Sequence, residues 1–460
     1  MSTRQEGVPS RLVRSRDDLV AWIADGSKPK ADWLIGTEHE KFVFHTDTLA
    51  PVAYEGDSSI SALMKALIAR FGWEPILEGT KIIALKRPEG MLGGAISLEP
   101  GGQFELSGHP VETLHDTAAE TNEHLREVLN VGEPLGIGFL GLGFSPKWTL
   151  AETPHMPKDR YAIMTRYMPT VGTRGLDMMY RTATIQVNLD FSDEADMVKK
   201  LRVSLALQPI ATALFASSPF TEGRLNGFKS MRGEVWRDTD RQRTGMLPWA
   251  FEPGMGFERY VDYALAVPMY FVYRDGRYID ASGASFADFL DGRLPQLPGE
   301  RPTLDDWSDH LTTLFPEVRL KRFLEMRGAD SGPWQRITAL PALWVGLLYD
   351  AQALDAAWSL VKDWTAEERQ ALRDEVPRTA LATPFRSTTV RQIAREVLWI
   401  ARRGLRTRRR ITSASQDESM YLDLLDEMAA TGQTLADRLI ECYAGPWAGD
   451  VDHVFEEYAF

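Results

Sequence analysis

An α+β fold built on a mainly antiparallel sheet is the class that this 460-residue chain predicts. Three observations carry it. The run from Thr182 to Phe191 alternates Thr182, Thr184, Gln186, Asn188 and Asp190 with Ala183, Ile185, Val187, Leu189 and Phe191, so one face packs and the other lines something wet. Strand-like and helix-like segments interleave without the regular βαβ rhythm of a parallel sheet. After about residue 340 the pattern is helical to the end, which segregates helices from strands.

The elements follow in chain order. Asp17 to Ala24 reads as a helix, closed by a turn over Gly26 to Lys30, and Ile35 to Phe44 as a strand. Ser58 to Phe71 has helical periodicity. Lys81 to Arg87 and Ala95 to Leu106 read as strands, the second broken where Pro100-Gly101-Gly102 punctuates it. Pro110 to Val131 is a long amphipathic helix, and Leu135 to Phe144 an apolar, glycine-rich strand. Met197 to Ser217 is helical, with Pro209 placed to kink it. Lys321 to Arg327 alternates again and sets Glu325 and Arg327 on one face. No linker, repeat or low-complexity stretch divides the chain. A single catalytic domain over 1–460 is therefore expected, with an N-terminal helical segment (1–32), a sheet-containing core (33–340) and a mainly helical C-terminal part (341–460).

The net charge of −13 argues against a general nucleic-acid role, because phosphate backbones need a basic face. Arg402, Arg403, Arg406, Arg408, Arg409 and Arg410 are a local exception, read as the solvated C-terminal end of a helix, where cations are favoured. The lone Cys442 excludes an intramolecular disulfide and a cysteine-cluster zinc site. There is no apolar leader, and the longest apolar run, Ala339 to Tyr349, is short and holds Pro341. A cytosolic protein, off the membrane, is the expectation.

Chemistry concentrates in acidic residues set among apolar ones. Glu38 and Glu40 lie in Gly36-Thr37-Glu38-His39-Glu40-Lys41-Phe42 and share a strand face, and Glu99 and Glu105 bracket Pro100-Gly101-Gly102-Gln103-Phe104. Glu325 heads Glu325-Met326-Arg327-Gly328-Ala329-Asp330. Crowded, half-buried carboxylates repel unless a cation sits among them, and oxygen donors suit Mg²⁺. Mg²⁺ in turn suggests phosphate chemistry and ATP. Gln186 could add an amide oxygen. Salt bridges to arginines are the competing reading of the same acids. A glycosidase also uses two carboxylates, but not five on separate strands. Arg232 and Arg327 are candidates for gripping carboxylate or phosphate with a planar fork, and Tyr260 and Tyr263 could offer hydroxyls. Gly136-Ile137-Gly138-Phe139-Leu140-Gly141 matches a dinucleotide-binding pattern, but a helix-like segment precedes it and no helix opens after it. His39, between two acids, should face away from them.

Together these segments resemble the glutamate–cysteine ligases shared by plants and many proteobacteria. The likeness runs from about Trp33 to Gly404. It takes in the Glu38 and Glu99 segments, Met168-Pro169 leading to Leu176-Asp177-Met178-Met179, Gln186 to Phe191, Ala211 to Gly223, Asp238 to Leu247 and Phe315 to Asp330. The resemblance implies a glutamine-synthetase-like carboxylate–amine ligase fold, a curved antiparallel sheet cradling ATP and metal with helices outside. It implies Glu38, Glu40, Glu99, Glu105, Gln186 and Glu325 as Mg²⁺ ligands, and Arg327 and Glu325 as catalytic, with Arg327 and Asn188 at the nucleotide. It implies Arg232, Met179, Tyr260 and Tyr263 at the substrates, L-glutamate and L-cysteine. The acyl-phosphate route to γ-glutamylcysteine follows, with a monomer or weak homodimer expected. Plant members resemble redox-regulated enzymes with two disulfides, whereas the matching positions here are Ala118, Thr338, Ala281 and Gln296. A ligase using another amine, or a non-catalytic regulatory relative, stays open at this point.

Overall fold

The computed structural model describes residues 10–88 and 94–460. Its principal sheet has nine strands: β1 (Ile35–His45), β2 (Glu74–Glu78), β3 (Lys81–Lys86), β4 (Ala95–Leu98), β5 (Phe104–Ser107), β6 (Ile137–Leu140), β7 (Thr184–Leu189), β8 (Val318–Leu320) and β9 (Leu324–Asp330). They lie in the order β8-β9-β7-β1-β5-β4-β3-β2, with β6 pairing β1 beside that path. Every pairing in the sheet is antiparallel. The eleven residues of β1 organise the rest. Ile35 to His39 pair with β7, Glu38 to Lys41 with β5, and Phe42 to His45 with β6.

The expected curved sheet is corrected. The strand order is an open path whose ends, β8 and β2, do not pair, and the sheet is neither curled nor closed. Helices cover one of its faces. Glu194–Phe215 packs along β9, and Trp334–Leu348 packs across β7 and β1, so apolar layers rather than a second turn of sheet cover one face. Ile185, Val187, Leu189, Leu324 and Met326 point into those helices and are almost completely buried. Pro209 sits inside the first helix, which runs on through it.

Most elements read from the sequence are present, shifted by a few residues at their ends. The alternating run narrows to β7, and the broken strand becomes β4 and β5. The glycine-rich run is β6, with Gly138 required by packing: a Cβ there would lie 2.4 Å from the ring of Phe44. Several elements were not expected, among them β2, β8 and the helices Asp159–Tyr167, Phe257–Ala266 and Leu304–Thr312. The C-terminal helices are interrupted by a two-residue hairpin pair, Pro384–Phe385 with Thr388–Thr389. Among the described residues no single helix is long and apolar enough to cross a membrane.

The side of β1 away from its glutamates is unusually polar for a packed face. His39 and Lys41 are buried there, Lys41 Nζ standing 3.2 Å from His39 Nδ1, with the His124 ring edge-on to His39 at 5.4 Å. Burial holds both imidazoles well below the ordinary histidine value and brings Lys41 down to about 7. A third buried imidazole, His310, stacks on Phe286 and bonds the Ala264 carbonyl at 2.8 Å, and burial lowers it to about 4.

These histidines resist protonation when folded, so the unfolded chain binds more protons below its own histidine value. The histidine contribution to stability is therefore full above about pH 6.5 and falls with pH towards 4. Urea midpoints should drop across that window, and His310→Gln should make the drop shallower; an unchanged slope in the variant would show that His310 does not contribute.

Candidate active site

The strand register puts six predicted residues on one face of the sheet. Glu40 lies opposite Glu105, Glu38 opposite Gln186, and Asn188 opposite Glu325. Directly opposed residues in antiparallel strands project to the same side, so β5, β1, β7 and β9 deliver them as neighbours. Glu99 joins from the turn after β4, which closes with the Glu99 amide on the Gln103 carbonyl at 3.0 Å. That turn needs Gly102 at φ +84°, a left-handed conformation that favours glycine.

One end of this face is acidic. Burial first, and then the charges of Glu99 and Glu105, push Glu40 well above the ordinary carboxylate range, against Arg232 and a 3.0 Å hydrogen bond from the Thr184 amide. Burial and Glu105 raise Glu99 to about 7, opposed by Lys158 and Arg160. The Glu105 carboxylate accepts from Ser107 Oγ at 2.6 Å and Ser97 Oγ at 3.0 Å. Among the described residues no three acidic or imidazole side chains converge on one point. The donor set nevertheless fits a hard divalent cation. Its carboxylates repel one another, and Mg²⁺ is commonly held by one or two carboxylates completed by water and phosphate oxygens.

The other end is basic, and Glu325 is its counter-ion. Glu325 is fully buried, with Arg319 at 2.7 Å, Lys321 at 3.0 Å and Arg327 also in contact. Burial disfavours its charge, but Arg319, Lys321 and Arg327 outweigh that and hold it well below the ordinary range. Its oxygens are already occupied by cations, so this residue does not offer the free lone pairs of a metal ligand. Gln186 is engaged as well, its amide oxygen accepting from Arg327 Nη1 at 2.6 Å. Asn188 donates to Glu38 at 2.9 Å, and its own Oδ1 is a buried acceptor with no partner. Arg232, on the short helix Met231–Val235, donates to the Arg327 carbonyl at 2.7 Å and so stands between the two ends.

Three predicted residues are engaged in packing rather than presented on this face. Tyr260 is fully buried on the helix Phe257–Ala266, and its hydroxyl accepts from the Leu320 amide at 3.0 Å on β8, an end strand of the sheet. Tyr263 packs against Trp249 and Tyr260, its hydroxyl buried and unpartnered. Met179 is core, and its carbonyl receives Gln103 Nε2 at 3.3 Å. The arginine run is also elsewhere: Arg402 pairs with Asp423 and Asp426, and Arg408 with Glu418.

Arg319 and Lys321 were missed. They flank Leu320 in the alternation that continues to Glu325 and Arg327, but β8 is three residues long and gives periodicity almost nothing to act on. Lys158 and Tyr161 were missed too; both bond the Leu98 carbonyl at 2.7 Å beside Glu99.

Replacing Glu325 by Gln strands three buried cations without a counter-charge. The variant should lose about 3–5 kcal/mol of stability in urea unfolding; a loss under about 1 kcal/mol would mean the cluster is solvated.

Residues 34–457 match the model for glutamate–cysteine ligase family 2. The chain is 55% identical over 456 residues to a chloroplastic glutamate–cysteine ligase of Brassica juncea, covering 99% of this chain and 86% of that one. It is 56% identical over 456 residues to the Arabidopsis thaliana enzyme of the same description, covering 99% and 85%. The crystal structure of a Francisella tularensis glutamate–cysteine ligase in complex with AMP superposes with a TM-score of 0.56 at 12% identity, over 92% of this chain and 87% of that one. At that identity the likeness shows the α+β fold alone. These relatives overturn the expected cytosolic location, since the plant proteins are chloroplastic by description.

Proposed function

This chain belongs to glutamate–cysteine ligase family 2, and we propose that the charged sheet face just described is where it does that family's chemistry. It is an ATP-dependent ligase that joins the γ-carboxylate of L-glutamate to the amine of L-cysteine, giving γ-glutamylcysteine, ADP and phosphate, the first step of glutathione biosynthesis. ATP and Mg²⁺ are its co-substrate and metal. The observation that carries the assignment is the separation of charge along one face: Glu40, Glu99 and Glu105 at one end, Arg319, Lys321 and Arg327 at the other, and Arg232 between them. A triphosphate with its cation needs both.

A carboxylate is a poor acyl donor because its leaving group would be an oxide. In the proposed sequence the glutamate γ-carboxylate attacks the γ-phosphorus of ATP, ADP departs, and the γ-glutamyl phosphate carries a competent leaving group. The cysteine amine then adds to the acyl carbon, and the tetrahedral adduct expels phosphate while the nitrogen loses its proton. No protein nucleophile is required. The side chains bind and orient, which itself supplies much of the barrier reduction.

Each group has a place in that scheme. Glu40, Glu99 and Glu105, with Glu38 beside them, would hold Mg²⁺, which when bound neutralises phosphate charge. Arg327 reaches the phosphates, aimed by Gln186 and by Glu325. Glu325 thus positions Arg327 on the same face, as Arg319 and Lys321 fix Glu325. Arg232 takes a glutamate carboxylate, its planar fork suited to two oxygens. The free Asn188 Oδ1 is an acceptor for a donor group of the nucleotide.

Glu105→Gln keeps the shape and one of the two serine hydrogen bonds while removing one charge from the acidic end. ADP release with ATP, Mg²⁺, glutamate and cysteine should fall by at least about a hundredfold, with the unfolding midpoint little changed. Near-normal turnover in that variant would remove Glu105 from the site.

A further inference from the structure

Asp330 ends β9 and is completely buried, yet the scheme above gives it no task. Its carboxylate gathers donors from two separate segments. Oδ2 accepts from the Ser217 amide at 3.0 Å and from Ser218 Oγ at 2.6 Å, and Oδ1 accepts from Ser230 Oγ at 2.7 Å. Both hydroxyls then act on the helix Met231–Val235. Ser218 Oγ accepts from the Arg232 amide at 3.3 Å. Ser230 Oγ caps the helix by accepting from the Gly233 amide at 3.0 Å. Backbone bonds lace the two segments together, Ser218 amide to Lys229 carbonyl at 3.0 Å and Met231 amide to Ser218 carbonyl at 3.2 Å.

The result is a closed loop of hydrogen bonds. It leaves β9 at Asp330, passes through Ser218 to the main chain of Arg232, and returns to β9 where that guanidinium meets the Arg327 carbonyl, while Ser230 ties the same carboxylate to the next amide, Gly233. A separate feature of the sequence serves the same point. A Cβ on Gly143 would lie 2.2 Å from Asp330 Cγ and 2.4 Å from Oδ2, so only glycine leaves room for the carboxylate. The glycine-rich run continuing past β6 therefore makes space for an acid rather than cradling a nucleotide.

We propose that Asp330 is the positioning residue for Arg232: acting through Ser218 and Ser230, it fixes the backbone from which the guanidinium takes the glutamate carboxylate. The inference rests on the reading of Arg232 as the glutamate-binding arginine. A carboxylate is suited to the task because it accepts from several donors at once and offers none in return, so both hydroxyls are forced to point at it and present their lone pairs to the helix amides.

Steady-state kinetics on Asp330→Asn, Ser230→Ala and Arg232→Gln separates the possibilities. Asn at 330 loses half of the acceptor set, and Ala at 230 removes a single link. Both should raise KM for glutamate by about tenfold, with kcat and the KM for ATP within about twofold of the parent. Arg232→Gln should raise the same constant further. If Asp330→Asn does not fold, as judged by its unfolding transition, Ser230→Ala decides. An unchanged glutamate KM in folded Asp330→Asn and Ser230→Ala, with Arg232→Gln defective, overturns the positioning role and leaves the Arg232 assignment standing. An unchanged glutamate KM in Arg232→Gln overturns that assignment and the inference with it. Equal losses in the constants for glutamate, ATP and turnover would mark Asp330 as a general structural support and overturn the inference as well.

Discussion

Repulsion among carboxylates held close together out of water is the constraint on which this structure turns. Glu40, Glu99 and Glu105 come from two strands and a turn, and their burial and proximity raise Glu40 and Glu99 far from the ordinary range. A fold has no reason to keep such a set for its own stability, because an unpaired buried charge costs several kcal/mol. The cost is tolerable where a cation is part of the working state. The same reasoning separates Glu325 from the other acids. It is the most deeply buried of them, yet Arg319, Lys321 and Arg327 satisfy it completely. Two kinds of acid therefore share one sheet face: some are left wanting a cation, and one is spent holding cations in place.

The architecture supports this division through strand register. An antiparallel pair places opposed residues on the same side, so four strands suffice to lay carboxylate, amide and guanidinium groups in a row. The reverse face of β7 and β9 is sealed by two long helices, and the sheet is open-ended. On β1 the reverse face carries His39 and Lys41 instead of a plain apolar pair.

What could be read in the sequence was whatever a period of two exposes. Thr184 to Leu189 alternates cleanly, and so β7 and its wet face were evident, as was the common facing of Glu38 and Glu40. Glu325 and Arg327 were placed together for the same reason, but the nature of their meeting was not visible. Whether an acid is free or paired depends on residues from β8, which is too short to show a pattern, so Glu325 was grouped with the metal ligands. Tyr260 and Tyr263 look polar in a string of letters. In space the first hydroxyl meets a strand amide and the second is buried in packing, a distinction that only tertiary contacts make. Sheet curvature was an inference from family likeness, with no local signal behind it, and the open strand order corrects it. Gly143 shows the opposite case: a glycine just past a misleading motif, whose reason is a carboxylate nearly two hundred residues away in sequence.

The central claim is that glutamate is activated as its γ-phosphate on this face before the amine arrives. The most direct measurement uses glutamate labelled with ¹⁸O in the γ-carboxylate, incubated with the enzyme, ATP, Mg²⁺ and cysteine, and reads the mass of the phosphate released. The account predicts one ¹⁸O transferred from glutamate to each phosphate, because the carboxylate oxygen that attacks phosphorus leaves with it. Phosphate carrying no label, with γ-glutamylcysteine formed, would contradict it.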